Sequence, residues 1–350
     1  MFELPEKVRN LTPYEPIAGS YSIRLDANES FIEFPEEIKA EMSSALYNTA
    51  LNRYPDSEAK KVIKGFADYF KISPSLVTAG NGSDELISVI MTSFLDKGDK
   101  FITLEPDFSM YRFYGSLAGG ESVAYKKDSE LKTDIDKVIA LSKAENARLI
   151  IFSNPCNPTG GIVTRRDVCK LLESTDALVV ADEAYMDFAE DESVISLTEK
   201  YDNLIVLKTC SKALGAAALR LGFAASNQRL TTVLKSVKSP YNVNSVSQAL
   251  GEVIFSHPDF IDDCRKKAVQ SKKELFSMLS EKAGGKVKIF ESHTNFVFLK
   301  AENAKEVFEK LKSRGIIIRN MGDFLRITAG TAEENRAVVN ELAEILEVQK

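Results

Sequence analysis

From about residue 75 onward, short apolar runs rich in β-branched residues alternate with stretches whose apolar positions recur at helical spacing. That alternation predicts a mostly parallel sheet covered by helices. Phe101–Leu104, Leu149–Phe152, Leu178–Ala181, Leu204–Leu207 and Leu221–Ala225 read as buried strands, and Thr164–Ser174 between two of them has helical periodicity. The segment Lys235–Asn244, containing Ser239-Pro240-Tyr241-Asn242, breaks the pattern. Beyond it come a long charged amphipathic stretch, Pro258–Lys282, strands near Val287–Phe290, Asn295–Leu299, Ile316–Arg319 and Phe324–Thr328, and a helix over Ala332–Val348. The first 35 residues, interrupted by Pro5, Pro13, Pro16 and Pro35, are too broken for a regular element and predict an arm laid over the body. The expected division is an arm over 1–35 that packs with the small domain, a large domain over 36–243 and a smaller α+β domain over 244–350.

Composition narrows the function classes. A chain of 350 residues exceeds one ordinary core, and 44% apolar with 27% charged residues is an ordinary globular balance. A net charge of −6 without any basic cluster argues against nucleic acid as a partner. No signal peptide and no long apolar run is visible, so no membrane is expected and the cytoplasm is the default address. Cys156, Cys169, Cys210 and Cys264 show no C-x-x-C spacing, and His257 and His293 are the two histidines. No metal site is expected, and neither histidine stands in a motif for a Ser-His or Cys-His enzyme.

The chemistry gathers where strands end. In open parallel sheets ligands collect at the carboxyl ends of strands, where loops and helix starts converge. Ala79-Gly80-Asn81-Gly82-Ser83-Asp84-Glu85 precedes the helical pattern Leu86–Leu95, so Gly82 and Ser83 would offer backbone amides to an anion. The plainer alternative makes Ser83 or Asp84 a simple N-cap. After the Leu149 strand, Asn154-Pro155-Cys156-Asn157-Pro158-Thr159-Gly160-Gly161 forms either an ordinary turn or a rigid mount for Asn157. The Leu178 strand ends in Asp182-Glu183-Ala184-Tyr185, where a buried carboxylate needs a partner or caps a turn. The Leu204 strand runs into Lys208-Thr209-Cys210-Ser211-Lys212, with Arg220 eight residues beyond. A lysine just past a buried strand is poorly explained as surface charge, and burial favours the neutral amine that attacks aldehydes.

In order along the chain these groups specify pyridoxal phosphate. Gly82, Ser83, Ser211 and Arg220 suit its phosphate, Asp182 its protonated pyridine nitrogen, Asn157 and Tyr185 its phenolic oxygen, and Lys212 its aldehyde, as a Schiff base.

The same residues carry a family likeness. With Thr12-Pro13-Tyr14, Leu25–Glu29, Arg53–Asp56, Gly80–Glu85, Pro106–Tyr111, Asn154–Gly160, Asp182–Tyr185, Ser211–Gly222, Asn295-Phe296, Ile318-Arg319 and Leu325–Thr328, the chain resembles the fold-type-I pyridoxal-phosphate aminotransferases. Within them it is similar to the histidinol-phosphate aminotransferases of histidine biosynthesis. The resemblance implies a large domain with a mostly parallel seven-stranded sheet between helices, plus the smaller α+β domain. It implies that Phe108 stacks on the cofactor ring, that Asp84 and Thr209 join the cofactor site, and that Tyr54 reaches the cofactor phosphate of a neighbouring subunit, hence a homodimer. Asn28, Tyr14, Arg319 and Arg326 would meet substrate, Arg326 taking its carboxylate and sharing phosphate with Arg319 and Tyr14. Lys212 would move the Cα proton in a ping-pong exchange with 2-oxoglutarate and glutamate. Ser30-Phe31, Phe108, Cys156, Leu214, Ala216 and Ala218 depart from the usual family residues.

Competing readings are a paralogous aminotransferase for aromatic or other amino acids and a threonine-phosphate decarboxylase on the same fold, whose His-Gly-Gly opening is absent. A transcription regulator would need about a hundred further N-terminal residues for a DNA-binding domain. A nucleotide-binding protein would need a glycine-rich phosphate loop after a strand, and none is present.

Overall fold

A computed structural model of the chain describes residues 2–9, 11–13, 17–189 and 192–348. The strands in chain order are β1 (Ile23–Arg24), β2 (Val77–Gly80), β3 (Lys100–Glu105), β4 (Glu121–Lys126), β5 (Leu149–Ser153), β6 (Leu178–Asp182), β7 (Leu204–Thr209), β8 (Gly222–Ser226), β9 (Val287–Phe290), β10 (Phe296–Ala301), β11 (Ile316–Ile317), β12 (Arg319–Met321) and β13 (Phe324–Thr328). The helices are α1 (Glu6–Arg9), α2 (Glu36–Tyr47), α3 (Lys60–Phe70), α4 (Ser83–Phe94), α5 (Met110–Ala118), α6 (Ile135–Glu145), α7 (Arg165–Ser174), α8 (Gln228–Val237), α9 (Ser245–Phe255), α10 (Pro258–Ala283), α11 (Ala304–Ser313) and α12 (Ala332–Val348).

Seven strands form the main sheet in the order β2-β8-β7-β6-β5-β3-β4. All neighbours pair in parallel except β8, which runs against both β2 and β7. Its direction follows from the connection 210–221, a hairpin-like return in which the Cys210 amide still bonds the Leu221 carbonyl at 3.0 Å. The central strands are apolar throughout because both faces are covered. Ile150, Phe152, Leu204 and Val206 pack against α3, α6 and α7 through Phe66, Val138 and Leu171. The intervening Leu149, Ile151, Ile205 and Leu207 pack on the other face against α4, α5 and α8 through Ile87, Tyr111 and Leu234. Successive residues thus serve opposite layers.

A second antiparallel sheet, β12-β13-β10-β9, shares a separate core with one face of α10, α11 and α12. Leu25 of the arm belongs to that core. Asp134, Thr164, Asn227 and Asn244 cap α6, α7, α8 and α9 through side-chain oxygens, which fixes where those helices begin.

Several sequence expectations are corrected. The arm is not devoid of regular structure: α1 makes one turn, and β1 pairs in parallel with β11. Ile316–Arg319 is not one strand, because β11 turns to the arm while β12 pairs with β13. The break at 235–244 begins only after α8 ends at Val237. Strands β2 and β4 escaped the pattern. β4 is a sheet edge whose residues are mostly exposed, so no apolar run records it.

Candidate active site

Lys212 lies in the return between β7 and β8, at the carboxyl edge of the sheet. Its Nζ donates to the carbonyls of Ala27 at 3.1 Å and Asn28 at 3.2 Å, and stands 5.8 Å from the centroid of the Tyr185 ring. Asn28 is buried in a left-handed conformation, φ 55°. Its Nδ2 donates to Tyr185 Oη at 2.8 Å, its backbone amide to Thr328 Oγ1 at 3.0 Å, and its Oδ1 accepts from Thr328 Oγ1 at 3.1 Å. One arm residue therefore joins the lysine loop, the end of β6 and the end of β13.

Asp182, the last residue of β6, is 4% exposed. Oδ2 accepts from Tyr111 Oη at 2.7 Å and Oδ1 from the Ala184 amide at 3.1 Å. Among the described residues no cationic side chain pairs with it. Burial pushes its pKa up to about 7, against those two bonds, which pull it down. A carboxylate held this way, with neutral donors only, is poised to take a cation. Glu183, the next residue, faces the opposite layer, where Lys208 Nζ meets its Oε2 at 3.2 Å and Asp187 Oδ1 at 2.9 Å.

The residues expected to meet an anion come together at the start of α4. Gly82 is the N-cap residue with φ 83°, so neither Ser83 nor Asp84 caps the helix. A methyl group on Gly82 would stand 2.9 Å from Arg220 Nη2, and one on Gly222 would lie 2.4 Å from the Ser83 amide nitrogen. Backbone amide and guanidinium thus converge on a space that only glycines leave open. Arg220 Nη1 approaches Ser211 Oγ at 3.5 Å, and Thr209 Oγ1 donates to the same oxygen at 3.0 Å. Asp84 Oδ2 lies 3.9 Å from Arg220 Nη2, and burial raises its pKa against the pull of that arginine. Phe108, half-buried at the start of α5, packs edge-on to Tyr111 with centroids 5.5 Å apart.

Arg326 on β13 closes the other side. Its Nη1 donates to Asn157 Oδ1 at 2.5 Å and its Nη2 to the Asp26 carbonyl at 2.6 Å, while its guanidinium carbon lies 5.3 Å from the Phe296 centroid. Arg319 sits directly across the ladder from it. Tyr54, expected to reach a neighbouring subunit, is 81% exposed and stacked on Tyr241 at 4.6 Å, and Tyr14 lies outside the described residues.

The model of the family described as aminotransferase class I and II matches residues 20–342. The chain belongs to that family. Its architecture is fold type I. The histidinol-phosphate aminotransferase of Clostridium novyi is 43% identical over 338 residues, spanning 95% of this chain and 94% of that protein. The enzyme of the same name from Clostridium kluyveri is 38% identical over 97% of this chain and 98% of its own. Among solved structures, the histidinol-phosphate aminotransferase of Sinorhizobium meliloti in complex with pyridoxal-5'-phosphate superposes with a TM-score of 0.90. It covers 100% of this chain and 99% of its own at 21% identity, a likeness of fold.

In this aminotransferase the site also contains residues to which sequence reasoning gave no role. Tyr111, the donor to Asp182, lies in the first turn of α5 and closes a turn with Phe108 through its amide, and nothing in the sequence alone assigns it this role. Thr328 and Asn295, which hold Asn28, lie in two of the segments that carry the family likeness, but nothing local assigns them this role. Among the described residues no helix is long and apolar enough to cross a membrane.

Proposed function

We propose that the chain is a pyridoxal-phosphate-dependent histidinol-phosphate:2-oxoglutarate aminotransferase. The observation that carries this is the buried Asp182 carboxylate, bonded only to neutral donors at the strand end beside the Lys212 loop. The 43% identity to a histidinol-phosphate aminotransferase over nearly the whole chain supports the choice among amino donors.

When bound, the cofactor supplies an electron-withdrawing ring that stores the electron pair left at the substrate Cα. Lys212 would supply the amine for the aldehyde, and the same amine would serve as the base that moves the Cα proton. Asp182 keeps the ring nitrogen protonated, since a cation beside it removes the cost of its burial. The Gly82 and Ser83 amides, Thr209, Ser211 and Arg220 receive the phosphate, with Asp84 holding Arg220. Phe108 covers one ring face. Tyr185 and Asn157 serve the phenolic oxygen, and Asn28 orients Tyr185 through their 2.8 Å bond. Arg326 receives the carboxylate of glutamate or, with Arg319 and Tyr14, the phosphate of histidinol phosphate.

In this reading residues 36–243 carry the cofactor together with α9, which packs on the same core through Ile254 and Phe255, while 1–35 and the rest of 244–350 meet the substrate. The active unit is a cytoplasmic homodimer. Leu51, at 79%, and Tyr47, at 91%, are exposed beside Tyr54, and a second copy covering that surface would bring Tyr54 to the partner's phosphate. The purified protein is expected to absorb visible light, to lose that band with glutamate or histidinol phosphate, and to regain it with 2-oxoglutarate. Lys212→Ala should abolish both the band and turnover; wild-type absorbance and turnover in that variant reject the assignment. Slow reaction with histidinol phosphate beside fast reaction with phenylalanine or tyrosine rejects the named substrate.

A further inference from the structure

Asp107 stands between the two loops that flank the cofactor site, and it takes hydrogen bonds from both. Its Oδ1 accepts from the Phe108 amide at 2.8 Å and from the Ser153 hydroxyl, and the Ser153 amide is 3.3 Å from each carboxylate oxygen. Ser153 Oγ in turn accepts from the Asn157 amide at 2.9 Å. Phe108, meant for the ring face, and Asn157, meant for the ring edge, thus hang from one carboxylate through two and three atoms of hydrogen-bonded contact. Lys127 repeats the link a layer further out. Its Nζ donates to the Pro106 carbonyl at 2.8 Å and to Cys156 Sγ at 3.0 Å, one contact on each loop. Asp107 and Lys127 also line a cavity of about 430 Å³ behind these loops.

The groups bonded to Asp107 all donate, so the arrangement needs an acceptor; the Lys127 charge favours the ionised form, while the Asp182 carboxylate lies near enough to feel the Asp107 charge. Burial works against ionisation and pushes the carboxyl up to about 6. A partly buried carboxylate that takes donors from both loops, where a turn would need no charge, is explained by what it aligns.

We propose that Asp107 is a positioning residue that fixes Phe108 and Asn157 relative to each other, and so sets the electronic state of the cofactor ring without touching it. The inference rests on the function proposed above. It is tested with Asp107→Ala, Asp107→Asn and Ser153→Ala. In cofactor-free protein, hydrogen exchange should speed up in both 106–111 and 153–161 for Asp107→Ala, and only in 153–161 for Ser153→Ala. In holoenzyme the pH midpoint of the visible band should rise in both by on the order of one unit, as Asn157 loses its fixed aim at the phenolic oxygen. Asp107→Asn, which retains an acceptor at Oδ1, should restore most of both signals. If Asp107→Ala does not fold, the other two variants decide the matter. Exchange confined to one loop in Asp107→Ala, or wild-type midpoints in both alanine variants whatever their melting temperatures, overturns the proposal. A wild-type protein without a visible band defeats the functional reading, while the exchange data still decide whether the two loops share this clamp.

Discussion

Arg319 and Arg326 occupy directly opposed positions in the antiparallel β12–β13 ladder. Directly opposed residues project from the same face of a sheet, where like charges repel. Two guanidiniums placed so are stabilised by an oxyanion between or beside them, and Arg326 is already oriented by Asn157 and the Asp26 carbonyl. Arg319→Ala should therefore lower kcat/KM for histidinol phosphate by about ten- to a hundredfold, the worth of one charge-assisted contact, while changing the glutamate half-reaction by less than about threefold. Arg326→Lys should impair both half-reactions by about a hundredfold, since a lysine cannot reproduce the planar fork. Stopped-flow half-reactions separate the two; equal losses for both substrates in Arg319→Ala contradict the division of labour.

Asp182 gives the cofactor-free protein a specific pH dependence. Its folded pKa, about 7, lies above the ordinary 3.8, so its contribution to stability is fully present below about 3.8 and lost as pH rises through about 7. The loss amounts to about 4 kcal/mol at most. Asp182→Asn should remove that slope and stabilise the cofactor-free protein at pH 8 by about 2 kcal/mol, because a neutral amide escapes the desolvation cost. The same change should weaken cofactor binding. Urea denaturation at pH 5 and pH 8 measures the effect, and an unchanged pH slope in the variant would assign it to another group.

The Lys208 cluster on the far face of the sheet is structural. Burial by itself would lower the lysine's pKa, but Asp187 and Glu183 outweigh it and hold the pKa above its ordinary value. Glu183 is fully buried and also accepts from the Val194 amide and the Ser193 hydroxyl. Lys208→Met leaves two carboxylates without their cation and should cost about 3–5 kcal/mol at neutral pH. Turnover per folded molecule should stay near wild type, measured at a temperature where the variant is still folded.

Gly82 answers to two constraints at once, a positive φ and the close approach of Arg220. Gly82→Ala should cost about 1–3 kcal/mol in backbone strain, since φ 83° with ψ 164° is a conformation open almost only to glycine. It should also displace the guanidinium and weaken cofactor binding by about tenfold or more, if one charge-assisted bond to the phosphate is lost. Equilibrium dialysis of cofactor-free protein gives the number; wild-type affinity would place the phosphate elsewhere.

The sequence by itself determined the layered α/β architecture, the long helices of the C-terminal part and the chemical types gathered at the strand ends. Burial on both sides of a strand leaves an uninterrupted apolar run, as in Leu149–Phe152 and Leu204–Leu207, and a one-sided helix leaves a period, as in Ala332–Val348. The position of Asp182 was legible because a charged group at the end of an apolar run conflicts with its surroundings, whereas the same signal after Leu207 marks Lys208, and Lys212 was singled out only by following that strand. Edge strand β4 left no such trace because its residues are mostly exposed.

Only the tertiary structure decided which groups meet. Asp182 and Glu183 are adjacent acids, yet strand alternation sends one to Tyr111 beside the site and the other to Lys208 on the opposite layer. The bonds between Asn28 and Thr328 span 300 residues, and those joining Asp107 to Ser153 span 46. A local pattern records whether a side chain is buried; it carries no record of its distant partner, because that depends on how separate segments pack together. The opposition of Arg319 and Arg326 is of this kind, since it exists only once β12 leaves β11 and pairs with β13.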